Sequence, residues 1–167
     1  MKLLIHDLNE ETIHHLLSNI HEDVILVSDN GTAHHCIGCF GCWIKTPGAC
    51  VIRDHLGDMG ECLSKCDEVT IISQCFYGGF SPTVKKVMDR SISYGHPYFD
   101  MRNGEMHHRR RYQNHFALKV WFYGENITQK EKQTAQRLIH ANSINLDCGD
   151  ESVTFVRAVS QIKGVSL

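Results

Sequence analysis

Four cysteines, Cys36, Cys39, Cys42 and Cys50, follow the spacing C-x2-C-x2-C-x7-C within HHCIGCFGCWIKTPGACVIRD, residues 34–54. Three thiolates in successive x2 steps can wrap one corner of an iron–sulfur cubane, and a fourth closes the cluster. Structural zinc more often takes two separated C-x2-C pairs, so the spacing favours a 4Fe-4S centre over zinc. Two other readings stay open. Cys39 and Cys42 could form a thiol–disulfide couple, although nothing near them in sequence lowers a thiol pKa. Alternatively, Gly38, Gly41, Pro47 and Gly48 fold a tight loop in which small cysteines and Trp43 simply pack. Of twelve histidines, His34 and His35 adjoin the cysteines and are the pair to watch as ligands.

The elements that position these thiols belong to an ordinary soluble composition. The 167 residues are 42% hydrophobic and 22% charged with a formal net charge of −2, which fits one domain over 1–167 with one buried core. So balanced a charge gives no reason to expect a nucleic-acid or membrane partner. No apolar run approaches the roughly 20 residues of a membrane span, and MKLLIHDLNEE has no apolar stretch long enough for a secretory signal. A cytoplasmic protein is expected, with its eight cysteines reduced and used for ligation, redox chemistry or packing.

Hydrophobic periodicity divides the chain into alternating strands and helices. KLLIH (2–6), DVILVS (23–28), EVTIISQ (68–74), FALKVWFYG (116–124) and SVTFVRAV (152–159) read as strands, most of them apolar on both faces. Between them, Ile13, Leu16, Leu17 and Ile20 form a helical stripe, and Leu56, Met59, Leu63 and Cys66 form another. Ser81 then Pro82 opens a third helix as N-cap and first residue, and Thr128 with Glu131 makes a capping box for a fourth with Ala135, Leu138 and Ile139 inward. Alternation of this kind predicts an α/β, three-layer architecture with a five-stranded parallel sheet covered on both faces. Residues 91–115 break the pattern as a long, polar, aperiodic insertion, the kind of loop that is usually functional or disordered. Ligands of such sheets lie at the carboxyl ends of the strands, which here are Asp7–Thr12, Gln74–Ser81 and Tyr123–Asn126.

Three segments carry a family resemblance. CIGCFGCWIKTPGACVIRD resembles the cysteine segment of flavodoxin-like NAD(P)H-dependent FMN reductases, a group that includes the iron–sulfur flavoproteins. SQCFYGGFSPTVKKVMDRS (73–91) is similar to that family's segment after the third strand, and YGENITQKEKQTAQRLIHANSINL to its fourth loop and last helix. The resemblance implies strand order 2-1-3-4-5, FMN phosphate in the loop after strand one, and the isoalloxazine ring against the loops after strands three and four. The cofactor-binding residues so implied are Asn9 and Thr12, then Ser73, Gln74, Cys75, Phe76, Tyr77, Gly78 and Gly79, then Tyr123 and Gly124. Gly78-Gly79 would let the backbone approach a flat ligand, with Phe76 and Tyr77 flanking the ring.

The chain departs from that family in its first loop. HDLNEET carries Asp7, Glu10 and Glu11 where a Ser/Thr/Gly-rich phosphate loop is usual. One carboxylate about 5 Å from a phosphate charge costs roughly 3 kcal/mol at an effective dielectric near 20, about a hundredfold in affinity. Asn9 and Thr12 could still donate, a protonated His6 could compensate, and NEET also reads as a plain capped helix start. HHRRR (107–111) is either an anion-attracting patch or a solvated face. The expected function is FMN-dependent electron transfer from NAD(P)H, or from a protein donor, to a small-molecule or protein acceptor, in a homo-oligomer. The rivals are a flavin-free binding or assembly protein on the same fold and a 4Fe-4S electron carrier.

Overall fold

The computed structural model describes residues 1–16, 24–102 and 104–162. In chain order the elements are β1 (Lys2–His6), α1 (Glu10–Leu16), β2 (Val24–Val27), α2 (Gly41–Ile44), α3 (Met59–Ser64), β3 (Glu68–Gln74) and α4 (Pro82–Arg90). After a 3-10 turn at Ser91–Tyr94 come β4 (Gly95–Arg102), β5 (Glu105–Arg110), β6 (Ala117–Tyr123), α5 (Gln129–Leu146) and β7 (Glu151–Val156), with a last 3-10 turn at Val159–Gln161. The main sheet has five strands in the order β2-β1-β3-β6-β7, every pairing parallel. Counted along that sheet alone the order is 2-1-3-4-5, which at this coarse level is consistent with a flavodoxin-like fold.

Strand composition explains the layering. Alternate residues of a strand face opposite sides, and here both sides are apolar. Leu3 and Ile5 of β1, Val69 and Ile71 of β3, and Leu118, Val120 and Phe122 of β6 join the larger core, which is closed by α3, α4 and α5. Leu4 and Ile72 face the other way and pack with Ile13 of α1 and Ile162. Ser81 caps α4 by accepting the Val84 N–H at 3.3 Å, and the Thr128–Glu131 capping box opens α5. Of the first helical stripe, Ile13 is buried, while Leu17 and Ile20, like Asp23 at the start of the second expected strand, lie outside the described residues. Val159 begins the last 3-10 turn instead of ending a strand. No helix among the described residues is long and apolar enough to cross a membrane.

Residues 91–115 are not an aperiodic loop, and this corrects the sequence reading. Residues 91–110, apart from Asn103, which lies outside the described residues, form the 3-10 turn and an antiparallel β4–β5 hairpin paired Phe99 to His108 and Arg102 to Glu105, and only 111–115 are irregular. The period-2 patterning is short, Phe99 and Met101 alternating with Asp100 and Arg102, its apolar residues are exposed, and the register shifts between Gly95 and Phe99. The hairpin is fastened by its arginines: Arg102 donates to the Ile144 carbonyl at 2.7 Å, and Arg111 to the Ser93 carbonyl at 3.1 Å.

Candidate functional site

Several long-range contacts set the cysteine loop in place. Lys86 of α4 pairs with Asp29 and donates to the Ala33 carbonyl at 3.2 Å, anchoring the entry to the loop. Gly38, Phe40 and Gly48 take positive φ angles of 65°, 55° and 93°, which fold the chain back on itself around α2. A non-glycine residue in that region costs roughly 1–2 kcal/mol, and Phe40 is stacked on Trp43 with centroids 5.2 Å apart. Trp43 in turn donates its indole N–H to the carbonyls of Gly95 (3.1 Å) and Ile92 (3.3 Å), tying the loop to the hairpin. Gly41 lets α2 meet the returning chain, since a Cβ there would fall 2.5 Å from Val51 Cγ1.

The four cysteines line one small cavity together with Arg90 and Ile92. Cys42 and Cys50 are buried at its floor, whereas Cys36 and Cys39 are exposed. Burial pushes the Cys42 thiol up, and the sulfurs of Cys50, Cys36 and Cys39 add to it. Among the described residues no three His, Cys, Asp or Glu side chains converge tightly enough for a single metal ion. In a cubane each thiolate binds a different iron, so its ligands surround a volume instead of a point, and four cysteines around one cavity fit that donor set. The enclosed part is only about 30 Å³, the space of one water. A larger group therefore needs Cys36 and Cys39 to shift outward, which their exposure permits. His34 is turned to Asp54, with its backbone N–H 2.9 Å and its ring Nδ1 3.3 Å from Oδ2, and His35 is exposed.

Asp7 occupies the carboxyl edge of the sheet. Its carboxylate accepts the Gln74 N–H at 2.8 Å and the Tyr123 hydroxyl at 3.0 Å, so one side chain joins the ends of β1, β3 and β6. The three expected segments do meet, but around an internal anion. Asn9 and Thr12 bond to each other, the Asn9 Oδ1 accepting the Thr12 N–H at 2.8 Å as the cap of α1. Glu10 and Glu11 are exposed in the first turn. His6 supplies no compensating charge. Burial holds its pKa below the ordinary value against the pull of Asp7, and its neutral Nδ1 accepts the Leu8 N–H at 3.2 Å. A phosphate in this loop would displace or face a carboxylate, so the loop does not fit that group. Tyr123 is held above its usual range by burial first and Asp7 second. Asp7→Asn is expected to lower the Tyr123 pKa in an ultraviolet difference titration, with Tyr123→Phe identifying the signal. An unmoved titration would assign the whole effect to burial.

The Gly-Gly corner is built differently from the sequence expectation. Ser73 is fully buried; its Oγ donates to the Gln74 carbonyl and accepts the Ser81 N–H, both at 2.9 Å. The Cys75 N–H goes to the Tyr123 carbonyl at 2.9 Å, and burial pushes its thiol up. Phe76 and Gly79 exchange backbone hydrogen bonds of 2.9 Å around Tyr77 and Gly78, whose φ angles of 51° and 80° define a type I′ turn. The missing Cβ of Gly78 serves α5, because a Cβ would lie 2.8 Å from the Glu131 carbonyl and from Thr134 Cβ. Tyr77 is 86% exposed at the tip, and Phe76 is 44% exposed. They stand edge to face at 5.8 Å and do not form a slot.

Gly79 instead borders a groove of about 680 Å³ whose walls include Phe80, Leu138, Trp43, His108 and Cys36. That volume is within the usual range for small-molecule sites. His108, read in sequence within HHRRR as an anion-attracting patch or a solvated face, sits between Trp43 and Phe99 with both centroid distances 4.8 Å, and its buried Nδ1 has no partner among the described residues. Gly124 lies elsewhere, on a cavity of about 700 Å³ with Asn126, Lys132, Phe155 and Arg157. Asp54 and Arg90 were missed in sequence, whereas Asp7 was read there as a charge in the first loop but not as the partner of Gln74 and Tyr123. Arg90 did leave a trace, falling in step with buried Val84 and Val87 on α4.

No family model matches the chain. The iron-sulfur flavoprotein of Archaeoglobus fulgidus is 32% identical over 63 residues, which are 38% of this chain and 28% of that protein. The matched stretch is thus less than a third of the relative's length, and the likeness is to a flavoprotein over part of the fold.

Proposed function

We propose that the protein is an FMN-dependent electron-transfer protein, its flavin ring lodged in the groove beside Gly79 and a 4Fe-4S centre held by Cys36, Cys39, Cys42 and Cys50. The observation that carries this reading is adjacency. The ring-sized groove and the four-cysteine cavity share Cys36, Gly38, Asp89 and Ile92 as a common wall, so a ring and a sulfur centre would be neighbours. Trp43, Phe80 and Leu138 provide an apolar surface that excludes water, and the unpartnered His108 Nδ1 offers the ring a polar contact. A bound flavin supplies the exchange between two-electron and one-electron transfer, the donor being NAD(P)H or a reduced protein and the acceptor a small molecule or a protein. The partial likeness to an iron-sulfur flavoprotein supports the pairing of these cofactors.

Asp7 favours a second reading, a cluster-bearing electron carrier without flavin, because its carboxylate stands where the family places phosphate. The visible spectrum of protein purified without oxygen, followed by titration with FMN, separates the two. Flavin bands with acid-labile sulfide support the leading reading. Sulfide with no FMN uptake supports the carrier. A colourless protein that quenches no FMN fluorescence removes both and leaves a flavin-free binding protein.

A further inference from the structure

Arg90 ends helix α4 and is buried beneath the cysteine loop with its side chain at 0% exposure. A guanidinium carries five N–H groups and no acceptor. Here Nη1 donates to the His34 carbonyl (2.8 Å) and Asp54 Oδ2 (2.9 Å), and Nη2 to the Ile52 carbonyl (3.0 Å) and Asp54 Oδ1 (2.8 Å). Four N–H groups are thereby used. The fifth, on Nε, is buried and has no hydrogen-bond partner among the described residues. Arg90 lines the cavity that the four cysteines share. The Cys50 sulfur lies beside the guanidinium on that cavity.

Such an orphan is costly to keep, since a buried unsatisfied donor loses the full desolvation energy of the group. It cannot turn to another acceptor, because Asp54 grips the Nη end of the fork and two carbonyls fix its plane. Lysine could not substitute for this geometry, having no planar fork to hold one N–H in place. We propose that Arg90 is a positioning residue whose Nε–H donates to the Cys50 sulfur when the four cysteines hold a cluster, keeping it an anionic ligand at the floor of the site. This rests on the reading of those cysteines as cluster ligands. Hydrogen bonds to ligand sulfurs and local charge are among the features that set cluster potentials. A donor that stabilises negative sulfur favours the reduced, more negative state and retention of the metal.

The test loads the full-length chain with ferrous iron and sulfide in the absence of oxygen. It measures iron and acid-labile sulfide per chain, the rate of iron loss to a chelator, and the midpoint potential by an EPR-monitored redox titration. The variant is Arg90→Met combined with Asp54→Leu, which removes both charges together so that neither is left buried alone. The double variant is expected to lose iron about tenfold faster, in the range typical of outer-shell substitutions, and to be reduced at a more negative potential. Equal rates and equal potentials would overturn the role of Arg90 and leave the four-cysteine site standing. Wild-type protein that takes up no iron would overturn both. Circular dichroism checks the fold, and if the double variant is unfolded, Arg90→Lys, which retains the charge beside Asp54 but lacks the fork, is read by the same two outcomes.

Discussion

Asp54→Ala is expected to destabilise the folded chain by about 3–5 kcal/mol, the usual consequence of leaving one partner of a buried pair uncompensated. The side chains of Asp54 and Arg90 are 8% and 0% exposed and meet at 2.8 Å, so solvent cannot take over when the carboxylate is removed. The same carboxylate also accepts the backbone N–H groups of His34 and Leu56, so the substitution frees both ends of the loop at once. Urea denaturation followed by tryptophan fluorescence measures the change. A loss below about 1 kcal/mol, typical of exposed ion pairs, would mean that the loop opens enough to hydrate Arg90.

The pair also sets an acid limit. Burial alone would raise the Asp54 pKa, but hydrogen bonds from Arg90, His34 and Leu56 hold it well below the usual carboxylate range. A depressed folded pKa means that the unfolded chain binds the proton first, so the contribution is complete above the unfolded value of about 4 and is lost as pH falls below it. The slope there is up to about 1.4 kcal/mol per pH unit. Asp29, lowered mainly by its hydrogen bond to Lys86, titrates in the same direction. Asp54→Ala should flatten the acid limb of the stability curve, and parallel limbs for the two proteins would contradict the assignment.

Filling the groove should abolish flavin binding. Asn142 is half-buried on α5 and lines the groove opposite the cysteine loop. Asn142→Trp places an indole where the ring is proposed to lie, and FMN affinity is expected to fall about a hundredfold or more, equivalent to about 2.7 kcal/mol. Its effect on stability should be small, since the substitution touches no buried hydrogen bond. Asn126→Trp is the matched control, because Asn126 lines the separate cavity beyond β6 and β7. If Asn126→Trp blocks FMN while Asn142→Trp does not, the flavin belongs at the strand ends and the adjacency to the cysteines has no electron-transfer meaning.

What could be read from the residues alone was what short-range physics decides. Leu3, Leu4 and Ile5 are apolar on consecutive positions, so β1 had to be covered on both faces, and the same holds for Val69, Ile71 and Ile72 in β3. Ser81-Pro82 and Thr128–Glu131 mark helix starts because a cap is satisfied within one turn. The hairpin at 95–110 escaped because its alternation, Phe99 and Met101 against Asp100 and Arg102, spans a few residues and leaves the apolar side exposed. Only the folded chain brings Asp7 to Gln74 and Tyr123, or Asp54 to Arg90, pairs separated by 67, 116 and 36 positions. A charged residue in sequence is taken as solvated, and its burial depends on a partner that no periodicity announces. The tertiary structure therefore decided which anion occupies the sheet edge and where a groove opens beside Gly79, since both are properties of packing between distant segments.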